Sequence, residues 1–227
     1  MYYDDVNPGS ETAAHSADYK IGAVYYQIPC IPQHLVSCLK HIFVAAVFLS
    51  NDRTLNNGAA FAPFIDDIHD LERNGIQIQT EVGDYTIYFG LGLLFGDNLG
   101  VHQITGFIEV FTANYYCRFC KEHRVVMRAQ LRENEHLLRN IQNYAEDLAI
   151  NNFSLTGIRS NCVWNRLLTF HVTINQTVYL MHDLWEGVCH YVICRILKYL
   201  ISEAQFVSLD TLNGRVQNFD YGKAGGK

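Results

Sequence analysis

The segment from Tyr85 to Cys120 constrains this chain more than any other. An apolar, strand-like run from Tyr85 to Phe95 ends at Asp97, and a helix-period pattern follows, with Ile104, Phe107, Ile108 and Phe111 at i, i+3, i+4 and i+7. Cys117 and Cys120 then close the segment with a two-residue gap. A carboxylate at a strand end, backed by a helix and followed by a thiol pair, is a layout suited to metal-dependent chemistry on phosphate esters. Acidic groups elsewhere fit the same chemistry: Asp4 and Asp5 near the start, and Asp183 and Glu186 in HDLWEG.

The chain has 227 residues, enough for one large domain or a domain carrying an insertion. Hydrophobic residues make up 49% and aromatic ones 13%, ample for a core, while 18% charged residues and 4 prolines argue against a long disordered segment. A net charge of −6 disfavours a free-standing nucleic-acid binder, which would be basic. It leaves room for a nuclease-like core, whose site is acidic by necessity. The start, MYYDDVNPGS, has no leader-like pattern, and the longest apolar runs fall short of the ~20 residues of a membrane span. The expected location is therefore nuclear or cytoplasmic, not secreted and not in a membrane. In such a reduced compartment a Cys-x-x-Cys pair reads as metal-binding or redox-active rather than as a disulfide staple.

Along the chain, Ile21–Ile28 and His41–Leu49 are β-branched and aromatic and predict buried strands. Ala60–Arg73 carries Phe61, Phe64, Ile65, Ile68 and Leu71, a helical stripe that ends at Asn74-Gly75. Ile76–Thr80 and Tyr85–Phe95 predict strands on either side of a turn at Val82-Gly83-Asp84. Arg124–Leu148 is charged and helical, with Leu131, Leu138, Ile141 and Leu148 as its packing stripe. His182–Ile201 is so apolar that a buried helix is expected, and a short helix follows from Ser208. The tail DYGKAGGK carries no structural signal.

Two-metal phosphoryl transfer needs carboxylates that converge from different segments, because Mg²⁺ prefers oxygen ligands and keeps several waters. Asp97 meets this condition at a strand end, Asp4 and Asp5 follow Met1-Tyr2-Tyr3, and Glu186 meets it if its helix packs beside the sheet. Each also has a plainer explanation. Asp97 could simply cap the next helix. Asp183-x-x-Glu186 has capping-box spacing, and Asp4-Asp5 before Asn7-Pro8-Gly9 could be a solvated turn.

Cys117 and Cys120 can hold two corners of a zinc tetrahedron. His123, Cys162, His171 and His182 are the available partners, with Cys162 and His182 preferred because His123 is too close for easy geometry. The alternative is a pair of buried thiols. Cys30, Cys38, Cys189 and Cys194 lie in apolar surroundings and are expected to be core thiols.

Taken together, these segments resemble the CACTA-like DDE transposases and the transposon-derived proteins of animals related to them. YYDDVNP resembles the signature around the first catalytic Asp, FAPFIDDIHDLERNGI the following helix, LLFGDNLGVHQITGF the segment of the second Asp, and YYCRFC its trailing cysteine pair. CVWN, FHV and LMHDLWEGV resemble downstream blocks, so the likeness runs in order along nearly the whole chain. It implies an α/β fold with an RNase H-like mixed sheet and helices, interrupted by a mostly helical insertion carrying a zinc knuckle. On that expectation residues 1–112 form the first part of the core, 113–180 the insertion, 181–220 the core-closing helices and 221–227 an unstructured tail.

The resemblance also implies DNA strand cleavage and transfer with catalytic Mg²⁺ or Mn²⁺ and a structural Zn²⁺. Asp4 is then the first acid, with Asp5 as its alternate, Asp97 the second, and Glu186 the third, with Asp183 beside it. Transposon-end DNA is the implied partner, and homo-oligomerisation is compatible with it. The chain departs from the pattern at Tyr179, where relatives carry an acidic residue, and it resembles a fragment or a domesticated copy. Since only Met1, Tyr2 and Tyr3 precede Asp4, the first strand is expected to be poorly held and the chain alone inactive. The competing reading is a domesticated, non-enzymatic DNA- or protein-binding module stabilised by zinc.

Overall fold

The computed structural model describes residues 1–6, 20–36, 38–51 and 57–220. The Asn7-Pro8-Gly9 turn and the 221–227 tail lie outside them. Two compact units are present, Met1–Tyr179 and Leu180–Lys227. The first is mixed α/β, and its sheet combines antiparallel and parallel pairings.

Strands β1 (Tyr2–Val6), β2 (Ile21–Tyr26) and β3 (Phe43–Leu49) pair antiparallel in sequence order. Helix α1 (Asn57–Arg73) and a separate hairpin, β4 (Ile76–Thr80) with β5 (Gly83–Ile87), come next. The chain then returns to the first sheet as β6 (Phe95–Gly96), which pairs parallel with β1. The strand order is β3-β2-β1-β6, so β1 is central. A parallel bridge between Leu94 and Gln176 extends the sheet beyond β6.

Alternation along β1 sends Tyr3 and Asp5 to one face and Tyr2 and Asp4 to the other. The Tyr3 face is the core. Tyr3, Val24, Phe61 and Trp164 are fully buried there, with Phe61 edge-on to Tyr3 and 4.9 Å from the Trp164 ring centroid. Helix α2 (Asn98–Thr105) lies against the same face, and the Trp164 indole N–H donates to its Ile104 carbonyl at 3.2 Å. Asp5, on this side, accepts from the Tyr3 phenol at 2.5 Å and the Ser50 hydroxyl at 2.6 Å.

Several expectations are revised. Tyr85–Phe95 is not one strand: Tyr85–Ile87 belongs to the hairpin and only Phe95–Gly96 joins the main sheet. The glycines at 90 and 92 interrupt the run, weakening strand pairing between the two parts. The helix after Asp97 stops at Gly106, whose φ of +80° places it in the left-handed region that ends helices. Phe107 and Phe111 therefore lie beyond it. Arg124–Leu148 is not continuous either. It divides into α3 (Arg124–Met127) and α4 (Ile141–Ile150), the second begun by an Asn140–Asn143 capping box. The short helix α5 (Phe153–Thr156) follows.

In the second unit, Leu180–Cys189 is π-helical and continues into α6 (His190–Lys198), with α7 (Leu209–Gln217) after it. None of these segments has a buried residue, and Trp185 and Tyr191 are 62% and 75% exposed, contrary to the buried helix expected. The expected core thiols are also revised. Cys30 and Cys194 are exposed, Cys38 and Cys189 half-buried, and Cys162 is the buried one. No helix of the described residues is long and apolar enough to cross a membrane.

Candidate carboxylate site and cysteine knuckle

The parallel register pairs Tyr2 with Phe95 and Tyr3 with Gly96. The next residue on each chain is an aspartate, Asp4 and Asp97, so the two follow one another across strands spaced about 4.8 Å apart. Asp97 is the N-cap of α2, and its Oδ1 accepts from the Gly100 N–H at 2.5 Å. It is therefore a helix cap in this structure, as the plainer explanation holds, and it stands beside Asp4 as well.

An aromatic cluster accompanies the pair. The Tyr2 ring centroid lies 5.5 Å from Phe95 and 5.2 Å from Tyr179. Burial raises the Tyr2 phenol pKa, and the negative charges of Asp4, Tyr179 and Asp97 add to the rise. One hydroxyl thus feels both carboxylates. Asp4 is half-buried in a strand paired along its length to β2, with β6 on the other side. β1 is thus paired to β2 from Tyr2 to Val6 and to β6 at Tyr2 and Tyr3.

Asp5 points to the face opposite Asp4 and is engaged by Tyr3 and Ser50. Glu186 and Asp183 belong to the second unit. There the His182 Nδ1–H donates to Glu186 Oε2 at 2.7 Å, an exposed i,i+4 pair on the helix.

At the cysteine pair, the Phe119 and Cys120 N–H groups both donate to Cys117 Sγ at 3.3 Å. The chain is folded into a knuckle around that sulfur. The hydrogen bond from the Cys120 thiol, against the opposing effect of burial, lowers the Cys117 pKa to about 6, helped by these two backbone donors and the Arg139 charge. Cys120 is raised in turn, first because its proton is shared with Cys117. A cavity of about 380 Å³ opens beside them, lined by Glu122, Met127, Arg132 and Leu137 among others. A thiolate with two N–H donors fits a metal ligand.

Two thiols are together here, and no group of three Cys, His, Asp or Glu that could hold a metal ion occurs among the described residues. Cys162 lies in the core, its thiol pushed up to about 12 by burial. His123 caps α3 and accepts from the Val125 N–H at 3.3 Å, and His171 Nδ1 lies 2.8 Å from the Thr173 hydroxyl. His182 belongs to the second unit.

Sequence reasoning missed Tyr2, Asn98 and Arg118. The signal for Arg118 was its position, a cation between two cysteines in an otherwise apolar stretch. Its side chain is buried, donates from Nη1 to Asn98 Oδ1 and reaches the Thr177 carbonyl at 3.2 Å from Nη2.

Compared with known protein families, with curated proteins and with solved structures, the chain matches none.

Proposed function

We propose that this chain is an RNase H-like core derived from CACTA-like DDE transposases, and that its chemistry is metal-dependent cleavage and transfer of DNA strands. One observation carries the reading: Asp4 on the central strand and Asp97 after its parallel neighbour come next to each other in register. The order β3-β2-β1-β6, with three antiparallel strands and then a parallel one, supports it. So does the parallel bridge from Leu94 to Gln176 beyond β6.

In this reading Asp4 and Asp97 would hold a Mg²⁺ or Mn²⁺ ion, and Glu186, with Asp183 as alternate, is the third acid that the resemblance implies. Such ions, when bound, would supply activation of an attacking oxygen and stabilisation of a leaving one. The protein's own part is positional. β1 fixes Asp4 by its pairing with Ala23 of β2, and the α2 cap fixes the rotation of Asp97. Tyr2 and Phe95, the residues two before Asp4 and Asp97, pack ring to ring at 5.5 Å. Cys117 and Cys120 would supply two ligands of a structural Zn²⁺ in the insertion, and DNA is the partner.

The second reading, a domesticated non-enzymatic module, is favoured by the His182–Glu186 pair, which already engages the third acid. Mn²⁺ titration of the wild type and Asp97→Asn separates the two. Asn caps a helix as well as Asp does, so the substitution removes charge and leaves the cap. Loss of at least about tenfold in Mn²⁺ affinity is expected. Equal affinity in both proteins would reduce Asp97 to a helix cap and remove the enzymatic reading.

A further inference from the structure

The cysteine knuckle and the carboxylate pair are joined by one side chain. Arg118 lies inside the knuckle, between Cys117 and Cys120, where the two N–H···S bonds to Cys117 set the direction of the backbone. From there its guanidinium runs into the interior, lies over the Phe119 ring at 4.4 Å and forks. Nη1 donates to Oδ1 of Asn98, the first residue of α2 and the neighbour of Asp97. Nη2 donates to the Thr177 carbonyl. The Arg118 carbonyl in turn accepts from Gln176 Nε2 at 3.0 Å, and Gln176 is the residue bridged to Leu94 at the start of β6. The same residue thus grips the helix that Asp97 caps and the chain that flanks the strand leading to Asp97.

We propose that Arg118 is a positioning residue for the carboxylate pair, through which the Cys117–Cys120 knuckle sets the placement of Asp97 for divalent-metal binding. The inference rests on the metal site proposed above. A planar, buried guanidinium suits the task, since its fixed fork holds two acceptors in one relative geometry where a flexible ammonium would not. Asn98 is the first residue after the cap, so pinning its side chain sets the azimuth of the first helical turn and of the capping carboxylate. Partners one shell away from a metal typically change affinity by about 10–100-fold when removed.

The test is Mn²⁺ affinity of the full chain, measured on folded protein, for wild type, Arg118→Met, Asn98→Ala and the double variant, with unfolding midpoints recorded alongside. Each single variant is expected to weaken Mn²⁺ binding by about tenfold, and the double variant no further, because both cut one link. A merely structural Arg118 would lower the unfolding midpoint and leave the affinity of the folded protein unchanged, which overturns the proposal. So would single effects that add in the double variant. If Arg118→Met does not fold, Asn98→Ala decides alone, since it removes the same link from the half-buried end of the helix. A wild type that binds no Mn²⁺ removes the metal site itself and this inference with it, whereas a wild type that binds and single variants that bind equally remove the inference alone.

Discussion

Tyr3 of β1 pairs with Gly96 of β6, and the residue after each is an aspartate. The contact between them is close: a Cβ on Gly96 would lie 2.6 Å from the Tyr3 carbonyl oxygen. The absence of a side chain at 96 is what lets the two strands, and the carboxylates that follow, approach.

Gly96→Ala should therefore act on the site through the backbone. The added methyl meets a backbone atom that cannot rotate away, so β6 must shift from β1. Overpacking of this kind costs about 1–3 kcal/mol. Gly92→Ala, with no atom within 4 Å of the new carbon, is the control, expected within about 0.5 kcal/mol of wild type. Urea denaturation of both variants checks this. Equal stability would mean the strands have slack at Gly96.

His102 gives the fold a pH dependence. Its ring is buried, and Nδ1 donates to the Ile108 carbonyl at 2.6 Å. Burial lowers its pKa to about 4, with the Arg118 and Arg139 charges acting the same way against the Ile108 bond. The unfolded chain protonates near 6.5 and the folded one only near 4, so between these values the unfolded state binds more protons. Stability from this group is whole above pH 6.5 and declines as pH falls through 4. The stability gap between wild type and His102→Gln should shrink over that window, read by denaturation at a series of pH values. A constant gap would show that His102 is not held neutral.

Asp147 anchors the segment around the cysteine pair. Its carboxylate, almost wholly buried, takes Arg139 at 3.0 Å and Lys121 at 2.8 Å, while Arg139 also donates to the Cys117 and Thr156 carbonyls. Removing the carboxylate leaves the buried Arg139 cation uncompensated, so Asp147→Asn should destabilise by about 3–5 kcal/mol. Because Arg139 holds the Cys117 carbonyl, the thiol pair should loosen too. Thermal unfolding measures the first effect. A loss below about 1 kcal/mol, the size of a surface pair, would show the network solvated.

Cys117 should be the most reactive thiol of the metal-free protein, with alkylation by iodoacetamide half-maximal near pH 6, where its lowered pKa lies. Peptide mapping after brief labelling identifies the site. Zn²⁺ added beforehand should protect Cys117 and Cys120 together. Protection of neither would remove the zinc assignment while leaving the thiolate intact.

Much of the local structure is legible in the amino-acid sequence. The strands at 21–26 and 43–49, the helix ending at Arg73 and the cap at Asp97 are all there, because each depends on a short-range pattern of apolar residues or on one side chain meeting a nearby N–H. Where glycine breaks such a pattern, as at Gly90, Gly92 and Gly106, periodicity overreaches, and the long strand and long helix it implies are shorter in fact. The charged stretch after Arg124 likewise has helical composition without a continuous helix, since the Asn140–Asn143 box starts the chain afresh.

The carboxylate pair is different in kind. Asp4 and Asp5 are adjacent in sequence and alike in chemistry, and nothing local separates them. The separation comes from the pleat of β1 and from its parallel pairing with a strand some ninety residues away, which together put Asp4 on the side of Tyr2 and Phe95 and Asp5 under Ser50. The grip of Arg118 on Asn98 is likewise invisible in the order of residues. The amino-acid sequence by itself determined which short segments form strands and helices and which side chains can cap or ligate. Only the tertiary structure decided which of them meet, because strand register and buried hydrogen bonds join segments far apart in the chain, and local periodicity does not encode that choice of partner.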